Sequence, residues 1–347
     1  MMPRALRRAA IALTTVLALV GLALSTAGLS KNQFSAQLTT QIGDYWTLLF
    51  AASPIEQNST YAYVQYATNA QSLCNSLTIF QSLSTAGSVH DRVLLVPKEW
   101  AKHMSTLDMP SAGELSVKHL FTQAIRLGVR LKFVDVISIH SADSTWQAGF
   151  TKFLSFNQTE YDRVVIMDSD GMVLGNLDDV FTEVPSTYDV AMPYAYWLRG
   201  EKDLLSAQFI VLKPAAKYLD YLMDIVATKK RTDYDMEIIN YAFKNESYVL
   251  PHQRYDLLTG EFRTARDGHA NFLENITAVW DAQAALDNAL YVHFSDYPLP
   301  KPWVEVGNIA VADVEPKCPA DDPGCAESVI WHGLYRQFRE QEQAVCY

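Results

Sequence analysis

The sequence lacks the short motifs that mark several large enzyme classes. It contains no GxGxxG, no P-loop, no GxSxG and no HExxH, so nothing in it indicates a dehydrogenase, a kinase, an esterase or a zinc protease. Cysteine is also scarce, with four residues and no CxxC pair, so no zinc-binding pattern is present. Any chemistry must come from other side chains.

Positive charge is in short supply as well. Lysine and arginine number 28 against 39 aspartates and glutamates, which gives a net charge of -11. We expect no nucleic-acid partner, because nucleic-acid binding depends on Lys and Arg contacts to phosphates. An anionic ligand would have to meet local cations or a bound metal ion. The composition, 49% hydrophobic and 19% charged, is that of an ordered globular protein.

The N-terminus contains no acidic residue before Asp44. Arginines at positions 4, 7 and 8 precede an uncharged apolar run over residues 9–29. A helix over that run would span about 30 Å, the thickness of a bilayer core, and the arginines favour a cytoplasmic N-terminus. We therefore predict an uncleaved transmembrane anchor. The alternative is a cleaved signal peptide, because Ser25-Thr26-Ala27 resembles a cleavage site. Either segment would send the rest of the chain into the lumen of the secretory pathway.

Cysteines and glycosylation motifs agree with a lumenal location. Cys318 and Cys325 bracket a turn-rich loop that is short enough to be closed by a disulfide in an oxidising compartment. Cys74 lies on one face of a predicted helix, and we interpret it as a small buried hydrophobic residue. N-glycosylation sequons begin at Asn58, Asn157, Asn245 and Asn275.

Apolar segments divide the rest of the chain into alternating strands and helices. Such alternation is typical of βαβ units, which form a mainly parallel sheet and bind ligands at the carboxyl ends of its strands. The predicted strands cover residues 61–66, 92–97, 130–137, 163–168, 189–193, 208–212 and 289–294. The predicted helices cover residues 70–83, 117–125, 149–156, 215–227 and 236–243. The predicted divisions are a cytoplasmic tail at 1–8, the anchor at 9–29, a stem at 30–57, a catalytic domain at 58–311 and a C-terminal extension at 312–347.

An Asp-Ser-Asp segment at residues 168–170 directly follows the apolar run 163–167. In extended chain, residues i and i+2 project to the same side, so both carboxylates can face one cation. Carboxylate oxygens suit Mg²⁺ or Mn²⁺, and such an ion can neutralise a diphosphate leaving group. An ordinary turn is the alternative, since Asp and Gly171 are turn formers. A calcium loop is excluded, because Met172 and Val173 stand where it needs an oxygen ligand and a glycine.

Longer blocks around this segment resemble glycosyltransferase family 8, the glycogenin-like enzymes. The similar blocks follow the family's order over residues 61–305. The strongest are residues 151–153, 163–170, 174–181, 293–294 and 301–303, and the weaker ones are 92–97 and 235–240. Segments 250–252, 257–263 and 293–303 resemble the fungal N-acetylglucosaminyltransferase branch of that family.

The resemblance implies a single nucleotide-sugar-binding α/β domain of the glycosyltransferase A type. It further implies retaining transfer of a sugar, N-acetylglucosamine in the fungal branch, from a UDP-sugar donor to a glycan or glycoprotein, with Mn²⁺ or Mg²⁺ as cofactor. With the predicted anchor, the protein would be a type II Golgi membrane protein. The implied metal ligands are Asp168, Asp170 and His293, the donor-binding residues Lys152, Ser169 and Lys301, and the catalytic residues Asp235 and Lys152.

Each of these residues also has an ordinary structural interpretation. His293 on a buried strand would by itself be a hydrogen-bonded core histidine, and only the family match favours a ligand role. Lys152 would be a helix-surface charge and Lys301 a solvated loop cation. Asp235 lies at a helix start, where acids favour the macrodipole and cap, so a structural and a sugar-facing role stay open.

Two segments depart from the family pattern. Ser206-Ala207-Gln208 replaces an Asn-Ser-Gly-like segment, and Asp296 stands where a glycine is common. Both are predicted to alter the sugar-facing region, which leaves the donor sugar and the detailed mechanism open. A metal-dependent lumenal hydrolase and a catalytically silent sugar- or nucleotide-binding module remain as alternative functions.

Overall fold

A computed structural model describes residues 59–104, 115–139, 148–200, 203–264, 268–275, 277–305 and 307–347. All of them belong to one unit, Pro54–Tyr347. The predicted tail, anchor and stem, and the sequon at Asn58, lie outside the described residues. None of the described helices is both long and apolar enough to cross a membrane.

Seven strands form the central sheet, in the order β3-β2-β1-β4-β7-β6-β8. Its first four strands are parallel, β7 is antiparallel to both of its neighbours, and β6 is parallel to β8. A second sheet has the order β5-β10-β9. The strands are β1 (Tyr61–Tyr66), β2 (Asp91–Pro97), β3 (Val129–Val134), β4 (Arg163–Met167), β5 (Gly171–Val173), β6 (Val190–Pro193), β7 (Phe209–Leu212), β8 (Tyr248–Leu250), β9 (Leu257–Leu258) and β10 (Tyr291–His293). The predicted α/β fold with a mainly parallel sheet is confirmed.

Helices cover both faces of the central sheet. Asn69 caps the first helix, since its side chain accepts from the N–H of Ser72. Gly128, with a φ of 67°, follows the end of the second helix. The α-helices are α1 (Ala70–Thr85), α2 (Val117–Arg126), α3 (Val180–Glu183), α4 (Ala216–Thr228), α5 (Asp235–Phe243), α6 (His252–Tyr255), α7 (Ala270–Leu273), α8 (Ala282–Asn288), α9 (Asn308–Val314) and α10 (Ala326–Cys346). The helix predicted at 149–156 is a 3₁₀ helix, Gly149–Asn157.

The core has a layer on each face of the sheet because the inner strands are buried on both sides. Tyr63 and Val165 pack with α1 and α2, whereas Val64 and Ile166 pack with α4 and α5. A third cluster joins the second sheet to α10 and includes the fully buried Phe338. Each fully buried large apolar side chain stabilises the fold by about 1.5–3 kcal/mol.

Two disulfides join all four cysteines, Cys74 to Cys346 and Cys318 to Cys325. The interpretation of Cys74 as an isolated hydrophobic residue is wrong, because α10 packs along α1 and brings Cys346 to it. Gln71 supports the same helix contact by donating to Glu342 at 2.8 Å. The last helix is therefore covalently fixed to the first.

We expect removal of the Cys74–Cys346 bond to cost more stability than removal of the Cys318–Cys325 bond. The sequence separations are 272 and 7 residues, and loop-closure entropy grows with loop length. Replacing each pair by alanine should lower the free energy of unfolding by about 5 and about 2 kcal/mol, respectively. Urea unfolding of the two double variants measures the difference, and equal losses would contradict the expectation.

Candidate functional site

The Asp-Ser-Asp segment lies at the carboxyl end of β4, in the middle of the central sheet. The N–H of Asp168 donates to the carbonyl oxygen of Gln208 at 2.9 Å, which extends the pairing of β4 with β7. On the other side, the hydroxyl of Tyr291 donates to the carbonyl oxygen of Asp168 at 2.8 Å. These contacts fix the backbone of the segment, while the carboxylates of Asp168 and Asp170 stay partly exposed. This is the edge where α/β sheets bind ligands.

Strand β5 leaves the segment and pairs antiparallel with β10. His293 lies opposite Gly171, and the N–H of Phe294 donates to the carbonyl oxygen of Asp170 at 3.0 Å. A Cβ atom on Gly171 would lie 2.2 Å from the hydroxyl oxygen of Tyr291. Only glycine fits, because the tyrosine ring occupies the space of a side chain.

This pairing assembles the three predicted metal ligands. Asp168, Asp170 and His293 each offer one ligand atom, and these atoms lie within 4.8 Å of one another. Nε2 of His293 is 3.1 Å from an oxygen of Asp170, whereas the buried Nδ1 has no partner among the described residues. Two carboxylates and one imidazole suit Mn²⁺ and similar divalent ions. The residues therefore fit the implied metal.

Lys152 is the buried cation of the site. Its side chain is 2% exposed, and its ammonium lies 2.6 Å from an oxygen of Asp168 and 2.5 Å from an oxygen of Asp235. It also donates to the carbonyl oxygen of Ala207 at 3.1 Å. Burial alone would lower the pKa of Lys152, but the two carboxylates outweigh it and raise the pKa well above its ordinary value. Lys152 is therefore a protonated link between two acids, and not a helix-surface charge.

Asp235 begins α5, but it does not make the capping bond. That bond runs from the N–H of Tyr234 to the side chain of Glu237 at 3.2 Å. The carboxylate of Asp235 pairs with Lys152 instead and keeps 27% of its side chain exposed. The structure thus brings Asp235 into the candidate site, and its chemical role stays a prediction.

Lys301 lies on the other side of the metal ligands. Its ammonium is 2.8 Å from an oxygen of Asp170, and it also donates to the carbonyl oxygen of Phe294. The side chain is 32% exposed, so a ligand can reach it. Burial alone would raise the pKa of Asp170, but His293 and Lys301 hold it well below its ordinary range. Lys301 is a paired cation of the site.

Among the other predicted residues, Ser169 lies between the two carboxylates and is partly exposed. Its donor-binding role stays a prediction. The three sequon asparagines that the structure describes, Asn157, Asn245 and Asn275, are all exposed, so a glycan has room at each.

Asp296 is a buried acid three residues after His293. Its side chain is fully buried and is held by Thr259, Arg263 and Tyr335. The carboxylate turns inward toward Tyr335 of α10, and an effect of this acid on the sugar-facing region stays a prediction. Segment 206–208 does border the site, since its last residue pairs with the backbone of the Asp-Ser-Asp segment.

Asp256 lies behind the site, and sequence reasoning did not identify it. It is fully buried, and neither carboxyl oxygen has a hydrogen-bond partner among the described residues. Burial raises the pKa of Asp256 to about 8; the nearby side chain of Ser206 and the charge of Lys152 oppose this shift, and the charge of Asp168 adds to it. Its one signal in the sequence is its place directly before the apolar Leu257–Leu258 strand.

The chain is similar to curated fungal proteins named glucose N-acetyltransferase 1, although no family model matches it. The protein from Gibberella zeae is 38% identical over 291 residues, which cover 83% of this chain and 63% of that protein. The one from Aspergillus fumigatus is 34% identical over 303 residues, which cover 83% of this chain and 77% of its own. The chain thus spans less than two thirds of the Gibberella relative.

Solved glycosyltransferases have a similar fold. Galactosyltransferase LgtC, in complex with donor and acceptor sugar analogs, matches with a TM-score of 0.52 and 12% identity, over 82% of this chain and 96% of that chain. The apo form of the bifunctional glycosyltransferase WbbM matches with a TM-score of 0.52 and 16% identity, over 83% and 50%. At these identities the likeness shows the fold alone, a glycosyltransferase A-type α/β domain.

We expect Gly171→Ala to disrupt the site, because the added methyl group would overlap the ring of Tyr291. Overpacking of this kind costs about 1–3 kcal/mol of stability, and the displaced β5–β10 pair should bind Mn²⁺ more weakly. The control is Gly333→Ala in α10, where a Cβ atom meets nothing within 4 Å. That change should stabilise the protein by about 0.5–1 kcal/mol. Urea unfolding and Mn²⁺ titration measure both effects. Wild-type stability and Mn²⁺ affinity in Gly171→Ala would contradict the close packing.

Proposed function

Because the chain belongs to the family of fungal glucose N-acetyltransferase 1 proteins within glycosyltransferase family 8, we propose that it is a retaining, metal-dependent glycosyltransferase. It moves a sugar from a UDP-sugar donor to a glycan acceptor. The observation that carries this proposal is the group of Asp168, Asp170 and His293 at the carboxyl end of β4, with Lys152 and Lys301 beside it. A site with this charge pattern suits a diphosphate with a divalent ion.

The donor diphosphate would meet the exposed side of this cluster. When bound by these residues, Mn²⁺ or Mg²⁺ would neutralise part of the charge of the diphosphate. Lys301 keeps one third of its side chain exposed beside Asp170, so its ammonium can donate to a phosphate oxygen as well. These cations are the local positive charge that an acidic chain needs in order to bind an anion.

Asp235 is the acid that we assign to the transferred sugar. Lys152 pairs with one of its oxygens, and the side chain is still 27% exposed, so it can accept a hydrogen bond from a sugar hydroxyl. Lys152 itself is buried and holds Asp235 and Asp168 at a fixed separation. Its role is therefore to position both acids, and through Ala207 it also restrains segment 206–208.

The relatives' name joins glucose and an N-acetyl group. Together with the resemblance of segment 293–303 to the fungal branch, this supports N-acetylglucosamine as the transferred sugar. A glycan or glycoprotein of the secretory pathway is the acceptor that fits the proposed location.

We assign the protein to the Golgi membrane as a type II protein with a lumenal catalytic domain. The apolar run 9–29 behind three arginines supports an anchor. Two disulfides and exposed sequon asparagines are features of lumenal domains.

In fungal cells the protein should stay in the pellet after alkaline carbonate extraction, because a spanning helix is not released by high pH. Glycosidase treatment should increase its gel mobility if any sequon carries a glycan. A soluble form whose N-terminus lies near Gly28 would instead support the cleaved signal peptide.

With a panel of UDP-sugars, a glycan acceptor and Mn²⁺, we expect transfer from UDP-N-acetylglucosamine, detected by mass spectrometry. EDTA should abolish it and added Mn²⁺ should restore it. Asp170→Asn keeps the shape and removes one charge next to the cation, so turnover should fall on the order of a hundredfold or more. Asp203→Asn is the matched control, since Asp203 is 77% exposed in a surface pair with Lys244 and should keep near wild-type turnover.

Three results would contradict the proposed function or part of it. Full activity in EDTA would refute the metal dependence. Release of free sugar at the same rate with and without acceptor would indicate a hydrolase. Donor binding without any product would indicate a silent binding module.

A further inference from the structure

The loop of residues 294–303, which carries Lys301 and is called the Lys301 loop below, begins against α10. Phe294 is fully buried, and its ring centroid lies 5.1 Å from that of Tyr335 and 5.2 Å from that of Phe338. Both partners lie on one face of the C-terminal helix, one turn apart. The start of the loop is therefore fixed by helix packing as well as by strand β10.

The other end of the loop contacts the same helix. Nε of Arg339 donates to the carbonyl oxygen of Pro302 at 3.3 Å, and the ring of Trp303 lies 6.0 Å from that of Phe338. Lys301 thus lies in a short segment that is attached to α10 on both sides.

Between these two ends, the buried carboxylate of Asp296 accepts hydrogen bonds from three side chains. The hydroxyl of Tyr335 donates to its carboxylate at 2.8 Å, and Arg263 donates at 3.1 Å. Thr259 donates to the same carboxylate and accepts from the N–H of Ser295 at 3.0 Å. Burial beside Asp296 raises the pKa of Tyr335, so the hydroxyl keeps its proton and remains the donor.

We propose that α10 is a positioning element for the donor diphosphate, in which the hydrogen bond from Tyr335 to Asp296 orders the Lys301 loop so that Lys301 meets the phosphates. The inference rests on the proposed function, because it requires a nucleoside diphosphate at the site. Tyr335 is a positioning residue, since it contacts the loop and not the metal ligands. Its contribution is a lower entropy cost of ordering the lysine when the diphosphate binds.

A disulfide attaches the C-terminal end of α10 to α1. Cys346, at the end of the helix, is bonded to Cys74 in α1, and Ser82 of α1 donates to Gln341 at 3.0 Å. The helix therefore joins the Lys301 loop to an element of the central fold.

The test uses the full chain and UDP with Mn²⁺ as the probe, measured by calorimetry. Lys301→Ala should weaken binding about ten- to hundredfold, because a charge-assisted contact is lost. Tyr335→Phe keeps the ring and removes only the hydroxyl, and it should weaken binding about three- to tenfold. In the Lys301→Ala background, Tyr335→Phe should change the affinity by less than about twofold, because its effect passes through the lysine.

Tyr63→Phe is the matched control. Tyr63 is also a buried tyrosine whose hydroxyl donates to a carboxylate, Asp178 at 2.7 Å, and Asp178 keeps Ser88 as a partner. This variant should lose similar thermal stability and keep the wild-type affinity for UDP. If Tyr335→Phe does not fold, Arg339→Met replaces it. That variant removes the bond to Pro302 from an exposed side chain and should weaken UDP binding in the same lysine-dependent way.

The outcomes separate this inference from the proposed function. If Lys301→Ala weakens UDP binding while Tyr335→Phe lowers only the melting temperature, the positioning role is refuted and the proposed function stands. An undiminished effect of Tyr335→Phe in the Lys301→Ala background, or an equal effect of Tyr63→Phe, would refute it as well. If Lys301→Ala binds UDP as the wild type does, both the role of Lys301 and the inference fail.

Discussion

Three carboxylates and three basic side chains share the carboxyl end of β4, and keeping their charges paired is the constraint on which this region depends. A buried charge without a partner costs several kcal/mol. Lys152 meets this requirement for Asp168 and Asp235 from a position that is 2% exposed, and Lys301 meets it for Asp170, which also lies beside Nε2 of His293. In a chain with a net charge of -11, basic side chains are outnumbered by acidic ones. Their concentration here is the electrostatic basis of an anion site.

This pairing needs a rigid frame, and the second sheet provides it. Tyr291 has two tasks at once: its ring excludes a side chain at Gly171, and its hydroxyl holds the carbonyl of Asp168. Because β5 and β10 can then lie close together, His293 reaches the carboxylates from another part of the chain. Asp256 is buried behind them, and this burial raises the pKa of its carboxyl group.

Sequence patterns predicted the structural features that depend on residues close together in the chain. The apolar runs of β1, β2 and β4 and the i, i+2 spacing of Asp168 and Asp170 follow from strand geometry. His293 could be assigned only from the family order, since β5 and β10 have three residues each and carry no periodicity. The burial of Lys152 and the bond from Cys74 to Cys346 depend on contacts between distant segments. No spacing rule records such contacts, so charge and cysteine patterns alone favoured a surface lysine and an isolated cysteine.

The hydrogen-bond partners of Asp296 explain how a buried acid can stand where the family commonly has a glycine. A glycine at this position would need no hydrogen bonds, whereas a buried carboxylate needs several, and here they come from Thr259, Arg263 and Tyr335. Tyr335 lies in α10, within the segment predicted as a C-terminal extension. The extension therefore supplies one of the hydrogen bonds that the buried carboxylate needs. The same bond attaches the extension to the loop of Lys301. The hydrogen bond from Tyr335 to Asp296 is the contact through which α10 acts on the loop of Lys301.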